Sequence, residues 1–279
     1  MLKNLPEINK INKEELIRLN LDEKIEWSRK IINKAFESYK KLILTWTGGK
    51  DSTLMLWLVR NFCLENNYKI PKVIFINEGD IFEEILEFIN QVKESWNLDL
   101  VEIKNEDVLK QVRKVGDVVK VSKLNERNRN ELKKIGFKGE EFVFEPESLI
   151  GCHLMKTVPL KEYIEKNNIE GVFVAIRWDE QEARSEETFF SPRKDPDHIR
   201  IHPILHFTEK DVWTAIKRYN IPVNKLYSEG YRSLGAKSTT KKLSDKPAWE
   251  QDFDQIPERA GRYQDKEEIM KRLRDLGYM

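Results

Sequence analysis

The chain has 279 residues, 39% of them hydrophobic, and its 49 basic against 48 acidic side chains leave a formal charge of +1. That length suits one large domain, or one domain with an appendage, and the charge balance excludes the global basic field of a dedicated nucleic-acid binder. Cys63 and Cys152 are the only cysteines, which excludes a disulfide framework and a Cys-x-x-Cys metal site; with no apolar run of roughly 18 residues and no signal-like N-terminus, a soluble, cytoplasmic protein with no membrane partner is expected.

Residues 1–12 are polar. From 13 to 39, Leu16, Leu19, Ile25, Trp27, Ile31, Ile32, Ala35 and Phe36 fall at helical spacing and predict a leading helix pair. Strand and helix then alternate: strand 42–46 and helix 51–64, strand 72–77 and helix 81–95, strand 99–104 and a helix near 105–115. Residues 116–150, highly charged from Lys120 to Lys134 and with Gly136 and Gly139 flanking Phe137, read as an insertion, a lid or a helix pair. Helix 156–167 and strand 171–176 follow, and 185–200, with Pro192 and Pro196 among many charges, predicts a loop. Thr208, with Asp211 three residues on, starts a helix that Pro222 ends.

Short β-branched runs separated by helices predict an α/β fold: a parallel sheet with helices on both faces, and an irregular or helical C-terminal extension over 225–279. The segments are an N-terminal helical stretch (1–39), a nucleotide-binding domain (40–205) and a C-terminal extension completing an anion site (206–279). Ligands on such sheets sit at the carboxyl ends of the strands.

The most informative stretch is Thr45-Trp46-Thr47-Gly48-Gly49-Lys50-Asp51-Ser52-Thr53, between an apolar strand and an apolar helix. Glycines let backbone approach an anion closely, and the amides and dipole of a helix N-terminus point at the same spot. Lys50 adds a charge; Thr47, Ser52 and Thr53 add hydroxyls. The spacing fits neither Gly-x-x-x-x-Gly-Lys-Ser/Thr nor Gly-x-Gly-x-x-Gly. Three more clusters hold anion-binding side chains: Arg177 to Arg184, Gly230 to Lys241, which includes Arg232 and Lys237, and Glu258-Arg259-Ala260-Gly261-Arg262.

The loop at 47–53 resembles the [Ser/Thr]-Gly-Gly-Lys-Asp-Ser loop of ATP pyrophosphatases. With Gly171–Arg184, Ile201-His202-Pro203-Ile204, Asp211-Val212-Trp213, Pro222–Tyr227 and Gly230–Gly235, it follows the order seen in the PAPS reductase superfamily. The resemblance spans roughly 25–279 and implies an adenine-nucleotide α-hydrolase-like fold. Within the superfamily, Cys152–Thr157, Glu258–Arg262 and the ending Lys271–Met279 look like the small subunit of sulfate adenylyltransferase. The C-terminal Cys with which PAPS and APS reductases attack sulfonate is not matched. Gly151-Cys152 and Ala236–Thr239 do not supply four cysteines, so no iron–sulfur cluster is expected. Asn77 in place of the family's usual Asp, Trp178 after Arg177, and Thr239-Thr240-Lys241 depart from the adenylyltransferase pattern.

The resemblance implies an adenylyltransferase that uses ATP and Mg²⁺: an oxyanion, sulfate, attacks the α-phosphorus and pyrophosphate leaves. The alternative is a reductase, or a sulfurtransferase that thiolates a nucleic acid, which would need Cys152. On the first reading Lys50, Arg177, Arg184, Arg232 and Lys237 are catalytic; Thr47, Gly48, Gly49, Lys50, Asp51, Ser52, Thr53, Ile76, Asn77, Arg259 and Arg262 bind the nucleotide; and no metal is held by protein ligands alone. Asp51, Glu78 and Asp80 are candidates to touch Mg²⁺. Cys63 reads as core, and His198, His202 and His206 as structural rather than metal-binding. A GTPase partner subunit and a homo-oligomer complete the expectation.

Overall fold

The computed structural model describes residues 12–262. The polar stretch before residue 12 and the basic ending Lys271–Met279 lie outside the described residues. In chain order the elements are α1 (Lys13–Arg18), α2 (Leu21–Ser38), β1 (Leu42–Thr45), α3 (Lys50–Glu65), β2 (Lys72–Ile76), α4 (Glu83–Ser95), β3 (Leu100–Ile103), α5 (Glu106–Leu109), β4 (Val118–Lys120), α6 (Glu126–Lys134), β5 (Glu141–Val143), α7 (Leu149–Cys152), α8 (Val158–Asn167), β6 (Gly171–Phe173), β7 (Phe190–Arg193), β8 (His198–Ile201) and α9 (Glu209–Arg218).

Six strands form one sheet in the order β3-β2-β1-β6-β8-β7. Every pair is parallel except β7–β8. Side chains alternate across the sheet. Leu44, Val73, Phe75 and Phe173 join the large core beneath α2, α3, α4 and α9. Ile43, Ile74 and Val172 face the other way, onto Leu160 and Ile164 of α8. The strands are thus buried on both faces, which is why they read as short continuous apolar runs.

Local chemistry sets the helix starts. Asn20 caps α2 with a capping box to Glu23, and Thr208 caps α9 with the same device to Asp211. Asp211 also accepts from Lys24 Nζ at 2.6 Å, which ties α9 to α2.

Three stretches differ from expectation. The helix near 105–115 is only the single turn of α5, followed by turns. Residues 116–150 form a packed subdomain: β4 pairs antiparallel with β5, and α6 lies between them in sequence, over a cluster that includes Val119, Leu132, Phe142, Leu154 and Met155. Residues 190–201 form β7 and β8 rather than a loop. Pro192 is tolerated there because β7 is the sheet edge. Among the described residues no helix is long and apolar enough to cross a membrane.

Candidate functional site

A cavity of about 280 Å³ opens at the carboxyl ends of β1, β2 and β6. Its floor includes Thr47, Gly49, Lys50, Asp51 and Ser52. Phe75, Ile76, Ile85, Leu160, Val174 and Leu234 supply apolar walls, and Arg184, Arg259 and Arg262 supply charge. An apolar wall beside a cationic rim is suited to a heterocycle with an anionic tail.

The loop itself is held tightly. Gly48 has φ +75°, and a Cβ there would lie 3.1 Å from Ile85, so this bend takes glycine for both its backbone and its neighbour. Thr47 and Ser52 hydroxyls are 3.1 Å apart, and Thr53 Oγ1 donates to the Gly49 carbonyl at 2.8 Å. The Lys50 amide, in the first turn of α3, donates to the buried Tyr227 hydroxyl at 2.8 Å. A residue 177 positions away therefore caps the helix that the sequence pattern aims at an anion.

Lys50 does not extend into the rim of arginines. Its ammonium pairs with Glu258, lies 3.3 Å from Asp51, and its side chain is 1% exposed. Arg177, wholly buried, pairs with Asp51, Glu258 and Asp179. Burial works against its charge, but Glu258 and Asp179 outweigh that and hold it protonated. Arg232 chelates Glu209 through Nε and Nη2, at 3.2 and 2.8 Å. Three cations and four carboxylates thus make one network beneath the loop, buried except at Asp51 and Asp179, whose side chains are 19% and 32% exposed.

The remaining candidates divide. Arg184 pairs with Glu180, Arg259 donates to the other oxygen of Glu180 at 2.7 Å, and all three line the cavity. Arg262 reaches the Leu234 carbonyl and Glu147; its guanidinium occupies the space over Gly235, where a Cβ would fall 2.1 Å from it. Ile76 lines the wall, while Asn77 turns to Glu102 at 3.0 Å and accepts from the Gly79 amide. Lys237 lies outside the cavity lining, exposed and bonded to Glu83 at 2.7 Å. Gly48, Thr53, Arg177 and Arg232 also stand behind the lining rather than in it.

Lys156, Thr157, Arg200 and Ser233, to none of which the sequence assigned a role, complete the walls. Lys156 was legible only as part of a resemblance, and Arg200 sits on a strand that the prolines around it disguised.

The three carboxylates considered for Mg²⁺ are each engaged: Asp51 by Arg177, Glu78 by Lys156, and Asp80 by Ser238 at 2.5 Å. Among the described residues no group of three or more His, Cys, Asp or Glu is arranged for a metal ion. The histidines have separate jobs: His198 bonds the Pro196 carbonyl, His202 the Thr188 carbonyl and His206 the Lys24 carbonyl. Cys63 is sealed in α3, and burial pushes its thiol up to about 12. Cys152 is also fully buried, donates to the Pro146 carbonyl at 3.2 Å, and burial raises its pKa.

Residues 41–242 match the family model described as the phosphoadenosine phosphosulfate reductase domain. The adenosine 5′-phosphosulfate reductase of Bacillus cereus (strain B4264) is 23% identical over 83% of this chain and 87% of its own length. Adenosine 5′-phosphosulfate reductase 2 of Bacillus subtilis (strain 168) is 24% identical over 75% of this chain and 77% of its own. A phosphoadenylyl-sulfate reductase from Candida auris superposes with a TM-score of 0.56 at 17% identity, covering 82% of this chain and 94% of that one. FMN adenylyltransferase from Candida glabrata, in complex with ATP, gives 0.57 at 18%, over 90% and 78%. At such identities the two structures speak to the fold alone, and both support the α/β architecture.

The expectation of a sulfate adenylyltransferase-like nucleotidyltransferase is corrected by these relatives, which are named as reductases over three quarters or more of both chains. The residues that suggested it, Glu258–Arg262 above all, serve the buried network and the cavity rim in ways that do not specify an adenylyl transfer. With the fold, the loop and most of its length matched, the chain belongs to the phosphoadenosine phosphosulfate reductase domain family.

Proposed function

We propose that the cavity binds adenosine 5′-phosphosulfate and that the chain assists thiol-driven release of its sulfonate group as sulfite, leaving AMP. The observation that carries this reading is the rim of Arg184, Arg259 and Arg262 beside an apolar wall at the carboxyl ends of the parallel strands. The names of the curated relatives support the choice of nucleotide.

The chemistry follows from the charges. A thiolate forms a bond to the sulfonate sulfur as the bond from that sulfur to the AMP phosphate oxygen breaks. Negative charge then moves onto the departing phosphate. Fixed guanidinium groups beside it stabilise that charge more in the transition state than in the ground state. A second thiol attacks the sulfur of the first, releasing sulfite and a disulfide, so the two electrons come from the thiol pair.

Both cysteines of the sequence are buried away from the cavity lining, each with a raised pKa. In this reading the reacting thiols belong to a separate donor, a small dithiol or a dithiol protein. Two cysteines are also half the donor set of a four-thiolate iron–sulfur cluster, so that group does not fit this chain and no step runs through it.

Calorimetric titration tests the reading. Wild-type protein is expected to bind adenosine 5′-phosphosulfate, with Arg259→Ala weakening it by roughly tenfold or more, the scale of one hydrogen bond to a charged group. A wild-type protein that binds none of this nucleotide would refute the reading.

A further inference from the structure

The helical run from α7 to α8 contains a wide π turn over His153–Thr157. In that turn the Val158 amide bonds the His153 carbonyl, five residues back. A helical threonine ordinarily turns its hydroxyl to the carbonyl three or four residues back, which for Thr157 includes that of His153. Thr157 does not do so. Thr157 is among the residues that line the cavity and is 2% exposed, and its buried Oγ1 has no hydrogen-bond partner among the described residues. Buried hydroxyls without partners are uncommon and call for a cause, and π turns concentrate at functional sites.

The surroundings indicate what the hydroxyl meets. Leu160, three residues on, lines the same cavity and packs with Ile43, Ile74 and Val172 on the sheet. Lys156, next to Thr157, is paired with Glu78 and lies 3.3 Å from Glu147, so its charge is compensated. The helix thus offers the cavity an apolar side chain and a neutral hydrogen-bonding group, while Arg184 and Arg259, joined through Glu180, supply the charged rim.

We infer that Thr157 is a ligand-binding residue whose hydroxyl hydrogen-bonds the uncharged nucleoside portion of the nucleotide rather than its phosphate or sulfonate. This rests on the nucleotide reading above. It makes the π turn the device that frees the hydroxyl: a regular α-helical turn would leave it to the backbone.

The test is a comparison of AMP and adenosine 5′-phosphosulfate affinities for the wild type, Thr157→Val and Thr157→Ser, each with its melting temperature. Thr157→Val keeps the shape and removes the hydroxyl. It is expected to weaken both nucleotides by the same factor, roughly three- to tenfold for one neutral hydrogen bond, without lowering the melting temperature. Thr157→Ser restores the affinity. Unchanged affinity in Thr157→Val, a loss confined to the phosphosulfate, or a loss that accompanies a lower melting temperature would each overturn the inference. Failure of the wild type to bind either nucleotide would instead refute the reading beneath it.

Discussion

Lys50, at the start of the phosphate-type loop, and Glu258, 208 residues later, form a buried ion pair, and the other oxygen of Glu258 takes Arg177. One carboxylate from the C-terminal segment therefore latches both the loop and the strand end that follows β6. The residues beside it, Arg259 and Arg262, then fall on the cavity rim. The latch explains why the lysine of the glycine loop faces a carboxylate, and it makes the rim dependent on how well this segment docks.

Replacing Glu258 by Gln leaves Lys50 and Arg177 buried with reduced compensation. Breaking a buried pair on one side costs about 3–5 kcal/mol. Urea unfolding of Glu258→Gln should show a loss on that scale, and nucleotide affinity should fall with it as Arg259 and Arg262 lose their anchor. Unchanged stability would mean that the pair is not what holds the segment.

Acid should weaken the fold in two stages. Burial lowers His198 and His202 to about 4 and His206 to about 3. Unfolded histidines bind protons below about 6.5, so the unfolded state holds more protons there and stability falls as pH drops. Three such groups give a slope approaching about 4 kcal/mol per pH unit between roughly pH 6 and 4.5. The second stage belongs to Glu131, which burial alone would raise but which His153, Lys134 and Lys161 hold down at about 2. Its contribution is complete above its unfolded value of about 4.3 and disappears as pH falls towards 2. Denaturant midpoints measured across this range check both stages, and a flat profile above pH 5 would contradict the first.

Lys237 and Arg184 were indistinguishable as loop cations in the sequence, and the structure separates them. Lys237→Ala removes an exposed pair with Glu83, worth little in water, and should leave nucleotide affinity within about twofold. Arg184→Ala removes a guanidinium from the cavity lining and should weaken adenosine 5′-phosphosulfate by roughly tenfold. Titration of the two variants side by side decides between them.

Cys152→Ser keeps a donor for the Pro146 carbonyl in a sealed site. With the reacting thiol coming from a separate donor, this variant should release sulfite at close to the wild-type rate. A loss of a hundredfold or more would place Cys152 in the reaction.

The fold was legible where one physical signal dominated. The apolar run Leu42-Ile43-Leu44 followed by Gly48-Gly49 marked β1, the loop and α3, because burial on both faces and a tight turn leave plain traces in composition. Strands β7 and β8 were hidden because Pro192 is allowed only by its edge position, and His198 and Arg200 are polar residues buried through tertiary contacts. The subdomain at 116–150 was hidden because its strands are three residues long and its core is shared with α7 and the π turn. At the site, the residue types Lys and Arg suggested anion binding, and the structure places Arg184, Arg259 and Arg262 on the cavity lining. Which of them reach the cavity was decided by Asp51, Glu209 and Glu258, and pairing over such separations leaves no local pattern.

The most direct test of the account is product analysis: adenosine 5′-phosphosulfate incubated with the full chain and a dithiol, with AMP and sulfite quantified together. The account predicts that both appear in equal amounts, in proportion to enzyme and dithiol, and that Arg259→Ala slows both equally. Tight nucleotide binding with no sulfite at any dithiol concentration would contradict it.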